Sequence, residues 1–356
     1  MRTIDQNDYI RNPTRSYSPY EPEKNVKKIK RTAIILLIIA LILVITLVVS
    51  IALVFTIGLR AAQKTSNIES STSTSLSGNS LYEPCRCGCP SIQPLFSDGT
   101  SLTSRIVNGE TSRAHSWPWQ VLLVVIDRNQ TPIAYCGGSI ITNRHILTAA
   151  HCVHQHYPPF IFIFPGQHTL NFSISLKAGY LVNNIYIHEG YNVLLHNDLA
   201  IITIEEPLRF DSSIHPICLA TPSSPTLQSG EELIATGWGR ISGAPNTAVR
   251  PSYLQQVKLA YVPTLHPNCS GLFPPELSAH PGQMCVGKPG YNVCQGDSGG
   301  PLVRRMRIPN TETFYWEQVG VTSATKDCGW NSTYPDIFIN IPYYYDWIAV
   351  TVKRAV

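Results

Sequence analysis

The apolar residues of this chain follow two different patterns along its 356 residues. Residues 32–59 form one uninterrupted run of 28 uncharged residues, most of them Ile, Leu, Val or Ala. From residue 106 onward, short apolar and β-branched runs alternate with Gly, Pro and Asn instead. The first pattern predicts a membrane-spanning helix, and the second predicts many short strands.

The run at 32–59 is long enough to cross a bilayer, since about 20 apolar residues suffice for a helix. A secretory signal peptide is the alternative, but its apolar region is normally about 7–15 residues long. Five basic residues lie within 24–31, just before the run, against Arg60 and Lys64 just after it. The positive-inside rule therefore predicts a single-pass type II signal anchor in the plasma membrane, with the later chain outside the cell and its release by shedding left open.

Polar segments flank this run on both sides. Residues 1–31 carry eight Lys/Arg and four Asp/Glu without an apolar period, so we expect a disordered cytoplasmic tail. Residues 60–105 are interpreted as a stalk and propeptide, because 65–81 are rich in Ser and Thr. Residues 32–356 carry 19 charges of each sign, which argues against a nucleic-acid-binding surface.

The segment 106–356 is predicted to be all-β. Short apolar runs bounded by turn residues predict strands at 120–126, 139–141, 160–164, 199–204, 233–236, 318–322 and 337–339. Strands of this length and spacing favour a sandwich or a barrel, and about 250 residues suffice for two packed barrels. Residues 343–354 predict a closing helix, with basic residues in its last turn.

Cysteines and glycosylation motifs indicate an oxidising, extracellular compartment. The chain has ten cysteines, and Asn-x-Ser/Thr motifs begin at Asn129, Asn171, Asn268 and Asn331. Cysteines 85, 87 and 89 form a tight cluster for which a metal site is the alternative. Three thiols without a nearby matching pair make poor zinc spacing, so disulfides are the better interpretation.

The stretch 294–301, Cys-Gln-Gly-Asp-Ser-Gly-Gly-Pro, carries the strongest chemical signal. Gly296 and the two glycines after Ser298 leave the backbone bare, so a carbonyl can approach the N–H groups closely. Converging N–H groups beside a hydroxyl would make an oxyanion site. The alternative is a glycine-rich turn with an incidental serine.

A serine hydroxyl is a poor nucleophile alone and needs a base that a third group orients. His151 follows an apolar strand and small residues and precedes a cysteine. Asp198 precedes the apolar run 199–204, where its charge could hold a buried imidazole. Taken alone, neither His151 nor Asp198 is strong evidence for a catalytic role.

Together, the order His151, Asp198, Ser298 and the sequences around these residues resemble the chymotrypsin/trypsin family of serine peptidases. The resemblance covers 106–356 and continues through Arg-Ile-Val-Asn-Gly at 105–109, Ser-Trp-Pro-Trp-Gln at 116–120, Cys-Gly-Gly-Ser at 136–139, Thr-Gly-Trp-Gly at 236–239 and Pro-Asp-Ile-Phe at 335–338. It implies a trypsin-like fold of two six-stranded antiparallel β-barrels with the site between them, followed by a C-terminal helix.

The same resemblance implies the role of each residue. Ser298 would attack the scissile carbonyl of a protein or peptide substrate, and His151 would take its proton. Asp198 would orient the imidazole, and the N–H groups of Gly296 and Ser298 would bind the oxyanion. No cofactor and no metal are expected.

The resemblance also implies that the chain is a zymogen. Cleavage between Arg105 and Ile106 would free the Ile106 amine, which would pair with the carboxylate of Asp297. An activating protease with basic specificity is then an expected partner. The family pairing implies the disulfides Cys136–Cys152, Cys269–Cys285 and Cys294–Cys328, with Cys218 tethered to one cysteine of the 85–89 cluster.

Four positions of the implied substrate pocket set the preference, and three of them, Asn292, Thr325 and Asp336, depart from the trypsin pattern. Asn292, six residues before Ser298, replaces the usual Asp, and Asp336 replaces a small Gly. Ser323 matches the substrate-binding serine on the pocket wall, and Thr325 should narrow the entrance. If Asp336 reaches into the pocket, it would favour Lys or Arg at the cleaved position. If it bonds to Asn292 or the backbone, it would plug the pocket and leave a small or polar preference, or a very restricted activity.

Two functions are compatible with the sequence. The first is a membrane-anchored serine endopeptidase, which the complete triad, the oxyanion glycine and the activation site favour. The second is a catalytically silent binding or adhesion module on the same fold, which the unusual pocket keeps open.

Overall fold

The computed structural model describes residues 86–97, 109–170, 175–240, 249–270, 272, 281–326, 328 and 332–355. The predicted tail at 1–31, the apolar run at 32–59 and most of the stalk and propeptide lie outside the described residues. No helix in the described ranges is long and apolar enough to span a bilayer. The membrane anchor at 32–59 therefore stays a prediction.

The regular secondary structure of the described residues consists mostly of short strands, as the apolar pattern predicts. In chain order they are β1 (Glu110–Thr111), β2 (Gln120–Ile126), β3 (Pro132–Ile140), β4 (His145–Thr148), β5 (Ile161–Pro165), β6 (Tyr180–Ile187), β7 (Ala200–Ile204), β8 (Cys218–Leu219), β9 (Glu232–Gly237), β10 (Gln255–Val262), β11 (Gln283–Val286), β12 (Pro301–Arg307), β13 (Phe314–Ala324) and β14 (Asp336–Asn340). Two α-helices are described, α1 (Pro267–Ser270) and α2 (Ile341–Arg354), together with three one-turn 3-10 helices, Ala150–Cys152, Pro158–Phe160 and Leu176–Ala178.

The first barrel is a closed antiparallel ring in the order β2-β3-β4-β7-β6-β5. Strands β2, β4 and β7 are buried along their whole length, which explains why β2 and β7 appear in the sequence as continuous apolar runs. Closure of the ring removes the exposed strand edges that an open sheet would present.

The second barrel uses the order β9-β10-β11-β14-β13-β12, and β9 closes the ring by pairing with both β10 and β12. β1 adds to this sheet beside β10, and β8 pairs with β13 in parallel. The prediction of two six-stranded antiparallel barrels is therefore confirmed. The larger apolar cluster fills the first barrel, extends to residues of β9, β12, β13 and β14, and includes Ile341, Tyr344 and Ile348 of helix α2. A smaller cluster lies within the second barrel.

Several strands were not predicted from the sequence, because their residues do not form an apolar or alternating pattern. In β6 only Val182 is buried, and the register shifts between Val182 and Asn184, which breaks the alternation. β12 contains three arginines among its seven residues. Such strands are specified by hydrogen bonds to their neighbours and by packing, and less by local preference.

The structure contains the three disulfides that the family resemblance implies. They are Cys136–Cys152, Cys269–Cys285 and Cys294–Cys328. Cys218 is bonded to Cys87, which selects one of the three propeptide candidates. Cys89 is also disulfide-bonded.

The described part of the propeptide lies against the second barrel. The N–H of Gly88 donates to the carbonyl of Pro216 at 2.8 Å, and the Gly88 carbonyl accepts from the N–H of Trp316 at 2.7 Å. Gly88 has φ +72°, and a Cβ there would collide with the Trp316 carbonyl, so the position requires glycine. Further along, Nε2 of Gln256 donates to the Leu95 carbonyl at 2.6 Å. Backbone contacts therefore support the Cys87–Cys218 tether.

Candidate active site

The first barrel brings His151 and Asp198 together. β4 and β7 run antiparallel, and the end of β4 faces the start of β7 through the pair Thr148 and Ala200. His151 lies three residues after β4, in a one-turn 3-10 helix, and Asp198 lies two residues before β7. The register of two buried strands therefore determines the distance between these two side chains.

Asp198 is fully buried and accepts three hydrogen bonds. Its Oδ2 lies 2.7 Å from Nδ1 of His151, and its Oδ1 accepts from the His151 backbone N–H at 2.8 Å. The Ser323 hydroxyl donates to the same Oδ2 at 2.6 Å. A carboxylate at Nδ1 favours the tautomer with the proton on that nitrogen. The lone pair of Nε2 is then free to act as a base, and 25% of the His151 side chain is exposed.

Ser298 lies in a tight turn that ends at β12. The N–H of Asp297 donates to the Cys294 carbonyl, and the N–H of Gly300 donates to the Asp297 carbonyl, at 3.0 and 2.9 Å. Gly137 of the first barrel donates its N–H to the Ser298 carbonyl at 2.7 Å. The turn that carries the half-buried Ser298 is thus fixed to both barrels.

The Cys136–Cys152 disulfide lies close to both His151 and Ser298. Its Cys152 Sγ lies 3.8 Å from Nε2 of His151 and 3.7 Å from the carbonyl oxygen of Ser298. Nε2 of His151 and the carbonyl oxygen of Ser298 therefore both lie near the same sulfur atom. The two sulfurs and His151 lie close enough to suggest a metal site, but cysteines joined in a disulfide offer no thiolate ligand.

The carboxylate of Asp297, the residue before Ser298, is bound by backbone N–H groups. Oδ1 accepts from the N–H of Gly239 at 2.6 Å, and Oδ2 accepts from the N–H of Cys294 at 2.9 Å. Burial raises the pKa of Asp297 to about 6, although both N–H donors and the charge of Arg250 act to lower it. Its proposed partner Ile106, and Arg105 before it, lie outside the described residues.

The substrate-pocket positions Asn292 and Asp336 come together in the second barrel, and both are fully buried. Asp336 accepts from the N–H of Val293 through Oδ2 at 2.8 Å, and Asn292 donates through Nδ2 to the Tyr334 carbonyl at 3.2 Å. Oδ1 of Asp336 and Oδ1 of Asn292 have no hydrogen-bond partner within the described part of the chain. Each of these two buried side chains therefore keeps one oxygen without a hydrogen bond.

Burial raises the pKa of Asp336 to about 8. The N–H of Val293 and the side chains of Thr325 and Asn292 act to lower it, and the charge of Asp297 raises it further. Thr325 is half-buried, and its Oγ1 also lacks a partner among the residues that the structure describes. A cation entering here would favour the charged form of Asp336.

Comparison with known proteins decides the family. The family model described as Trypsin matches residues 106–348. The chain belongs to the trypsin family. It is 35% identical to Chymotrypsin-C of Mus musculus over 274 residues, which is 75% of this chain and 94% of that protein. Chymotrypsin-C of Rattus norvegicus is 33% identical over 267 residues, 74% of this chain and 92% of the relative. Ovochymase of Halocynthia roretzi is 32% identical over 286 residues, 78% of this chain and 17% of that protein.

This trypsin-family chain is a serine endopeptidase, and its site contains the groups that acyl transfer needs. A hydroxyl at Ser298, an oriented imidazole at His151 and a buried carboxylate at Asp198 match the arrangement of a nucleophile, base and orienting acid. Gly296, with φ +107°, adopts a backbone conformation that suits glycine and lies two residues before Ser298.

The structure shows two features of this trypsin-family site that the sequence did not indicate. The first is that the hydroxyl of Ser323, a residue predicted for the pocket wall, donates to Asp198. Arg250 was not considered, yet its guanidinium lies against Gly296, where a Cβ would collide with it. No sequence motif indicates Arg250, because its contact with Gly296 depends on tertiary packing.

Proposed function

We propose that this chain is a membrane-anchored zymogen of a serine endopeptidase, with His151, Asp198 and Ser298 as its catalytic residues. One observation carries the catalytic assignment: a fully buried Asp198 holds His151 through two hydrogen bonds, beside Ser298. A carboxylate with three donors is fixed in place, so the imidazole it holds is fixed as well.

The proposed reaction is peptide hydrolysis through an acyl-enzyme. Ser298 Oγ attacks the scissile carbonyl while His151 Nε2 takes its proton, and the N–H groups of Gly296 and Ser298 stabilise the oxyanion. His151 then gives the proton to the leaving amine, and the C–N bond breaks. Water attacks the acyl-enzyme by the same route, which releases the acid product and restores Ser298.

We place activation at the Arg105–Ile106 bond. The buried carboxylate of Asp297 supports this placement, since its two partners are neutral N–H groups and its pKa is raised to about 6. A new amine at Ile106 would supply the full positive charge that this carboxylate lacks. The proposal needs a second protease that cleaves after Arg105, and the Cys87–Cys218 disulfide would keep the cut chains together.

We assign a preference for Lys or Arg at the cleaved position to Asp336. Oδ2 of Asp336 is bonded to the backbone N–H of Val293, as the plugged arrangement expects. The buried Oδ1 atoms of Asp336 and Asn292, however, accept no hydrogen bond from a described residue, and these two acceptors support the proposal. Two buried acceptors without donors suit a donor-rich cation. The other arrangement, in which Asp336 stays protonated at neutral pH, would favour small or polar residues.

The proposed location is the plasma membrane, with one helix at 32–59 and the peptidase domain outside the cell. Four disulfides in the described residues and exposed side chains at the glycosylation motifs Asn129 and Asn268 support an extracellular domain. Proteins and peptides at the cell surface are then the substrates.

Covalent labelling tests the proposed function. The full-length protein in detergent is treated with a protease of basic specificity, and the new amino terminus at Ile106 is verified by sequencing. We expect a fluorophosphonate probe to label the cut wild type on Ser298, and to label neither Ser298→Ala nor the uncut Arg105→Gln. Absence of labelling in a correctly cut protein would instead favour the silent binding module.

A further inference from the structure

Arg250 places a positive charge beside the oxyanion glycine. Its guanidinium lies so close to Gly296 that a Cβ there would collide with Nη1. Nη1 donates to the Trp238 carbonyl at 3.3 Å, and the guanidinium carbon lies 5.2 Å from the ring centre of Tyr135. A carbonyl and an aromatic face thus hold the cation in one orientation.

The same contacts define the side of the scissile bond on which Arg250 lies. Tyr135 precedes Cys136, whose disulfide partner Cys152 has its sulfur 3.8 Å from Nε2 of His151. Nε2 is the atom that protonates the leaving amine, so the leaving group must lie on this side of Ser298. Arg250 stands over Tyr135 and therefore faces the residues that follow the scissile bond.

The charge of Arg250 is only partly compensated. The ion pairs of the described residues do not include it. Burial lowers the pKa of Arg250, and the carboxylate of Asp297 raises it from a distance. The guanidinium has five N–H donors, and one is directed at the Trp238 carbonyl. The remaining donors suit a carboxylate, which Arg binds through two parallel hydrogen bonds.

We propose that Arg250 is a specificity-determining residue that selects a carboxylate within the first two residues after the scissile bond. The inference rests on the proposed function of Ser298 and deepens it. The carboxylate has two sources, the side chain of Asp or Glu or the carboxyl terminus of a peptide that ends there. The preferred substrate would combine the residue chosen by the pocket with an acid on the opposite side of the cut.

The test compares peptides that differ only after the scissile bond. One set carries Asp, Asn or Lys at the first or second position and ends in an amide, and a second set ends in a free or amidated carboxyl at the same positions. Each is cleaved by the activated full-length wild type, by Arg250→Gln and by Arg250→Glu. Arg305→Gln is the matched control, since Arg305 is an exposed arginine that contacts Phe314 in the second barrel.

We expect the wild type to prefer Asp over Asn by about fivefold in kcat/KM, the size of a partly exposed charge pair. Arg250→Gln should abolish this ratio, Arg250→Glu should reverse it in favour of Lys, and Arg305→Gln should leave it unchanged. The free-carboxyl set shows whether a chain terminus is accepted as well as a side chain.

An Asp/Asn ratio that stays the same in Arg250→Gln would overturn the inference, even if all rates fall, because Arg250 would then only support Gly296. The fluorophosphonate probe has no residues after the reacting centre. Labelling of Ser298 with an unchanged ratio therefore contradicts the role of Arg250 alone, whereas loss of labelling in the wild type contradicts the proposed function.

Discussion

Asp198 and Asp336 are two fully buried aspartates with very different surroundings. Asp198 accepts three hydrogen bonds, from the backbone and ring of His151 and from Ser323. Asp336 accepts one, from the N–H of Val293, and its Oδ1 has no partner in the described chain. Both oxygens of Asp198 are hydrogen-bonded without a ligand, whereas Asp336 keeps one oxygen available to a ligand. Equal burial thus does not imply an equal role.

Asp297 is intermediate between Asp198 and Asp336 in the number of hydrogen bonds that its carboxylate accepts. It accepts two hydrogen bonds, from Gly239 and Cys294, and its pKa of about 6 lies below the value of about 8 for Asp336. Burial raises both pKa values, but the neighbouring charges act in opposite directions, since Arg250 lowers the pKa of Asp297 whereas Asp297 raises the pKa of Asp336. We expect the three aspartates to respond differently to the same Asp→Asn substitution.

The largest effect is expected for Asp198→Asn. The amide would present the wrong group to Nδ1 and favour the wrong imidazole tautomer, so kcat should fall about 10⁴-fold. Steady-state kinetics on the activated protein measures the loss. Asp211→Asn is the matched control, because Asp211 also accepts several local hydrogen bonds but lies on the surface. A loss below tenfold would mean that Asp198 does not orient His151.

Asp297→Asn should rank second, because it removes the charge that the new Ile106 amine needs. We expect cleavage at Arg105 to proceed, while activity after the cut stays at least about 10²-fold below that of the cut wild type, as for a lost oxyanion donor. Comparison of cut and uncut proteins isolates the effect. An activated Asp297→Asn enzyme with wild-type kcat/KM would contradict this account of activation.

Asp336→Asn should change specificity while the chemistry remains. We expect kcat/KM for an Arg substrate to fall about 30-fold or more, the cost of removing one member of a buried charge pair, with little change for a neutral substrate. A peptide library that varies the cleaved position measures both at once. An unchanged Arg preference would mean that another group selects the cation.

The smallest effect concerns stability. The pKa of Asp336 is raised from 3.8 to about 8, so its contribution to the free energy of unfolding decreases as the pH rises between these values. Asp336→Asn should therefore raise the Tm at pH 8.5 more than at pH 5, by about 2–4 °C for each kcal/mol regained. Differential scanning fluorimetry measures the difference.

Asp211→Asn should show the opposite sign in the same experiment. Hydrogen bonds from the backbone and hydroxyl of Ser213 hold the pKa of Asp211 below its usual value, against a small opposing effect of burial. Such a group stabilises the fold above its unfolded pKa and loses that contribution in acid. A Tm difference for Asp336→Asn that did not depend on pH would contradict the raised pKa.

The sequence alone predicts much of the chemistry, because the family motifs around His151, Asp198 and Ser298 are local. It also identifies Asn292 and Asp336 as unusual. It cannot predict that Ser323 donates its hydroxyl to Asp198 across 125 residues of sequence, because that contact depends on how the barrels pack.

The strands also divide into those that the sequence predicts and those that depend on tertiary contacts. Strands β2 and β7 follow from apolar runs, whereas β6 and β12 mix polar and apolar residues and are defined by their pairing. Arg250 belongs to the second class, since its neighbours Gly296 and Tyr135 are distant in sequence. Tertiary contacts of this kind leave no local signal.

The most direct test of the contrast between Asp198 and Asp336 is the pH dependence of the ratio of kcat/KM for an Arg substrate to that for a neutral one. Any effect of pH that is common to both substrates cancels in the ratio, and the Arg side chain of the substrate stays charged throughout. The wild-type ratio should rise with pH through about 8, as Asp336 loses its proton, and stay flat in Asp336→Asn. A wild-type ratio that is flat from pH 6 to pH 10 would contradict the account.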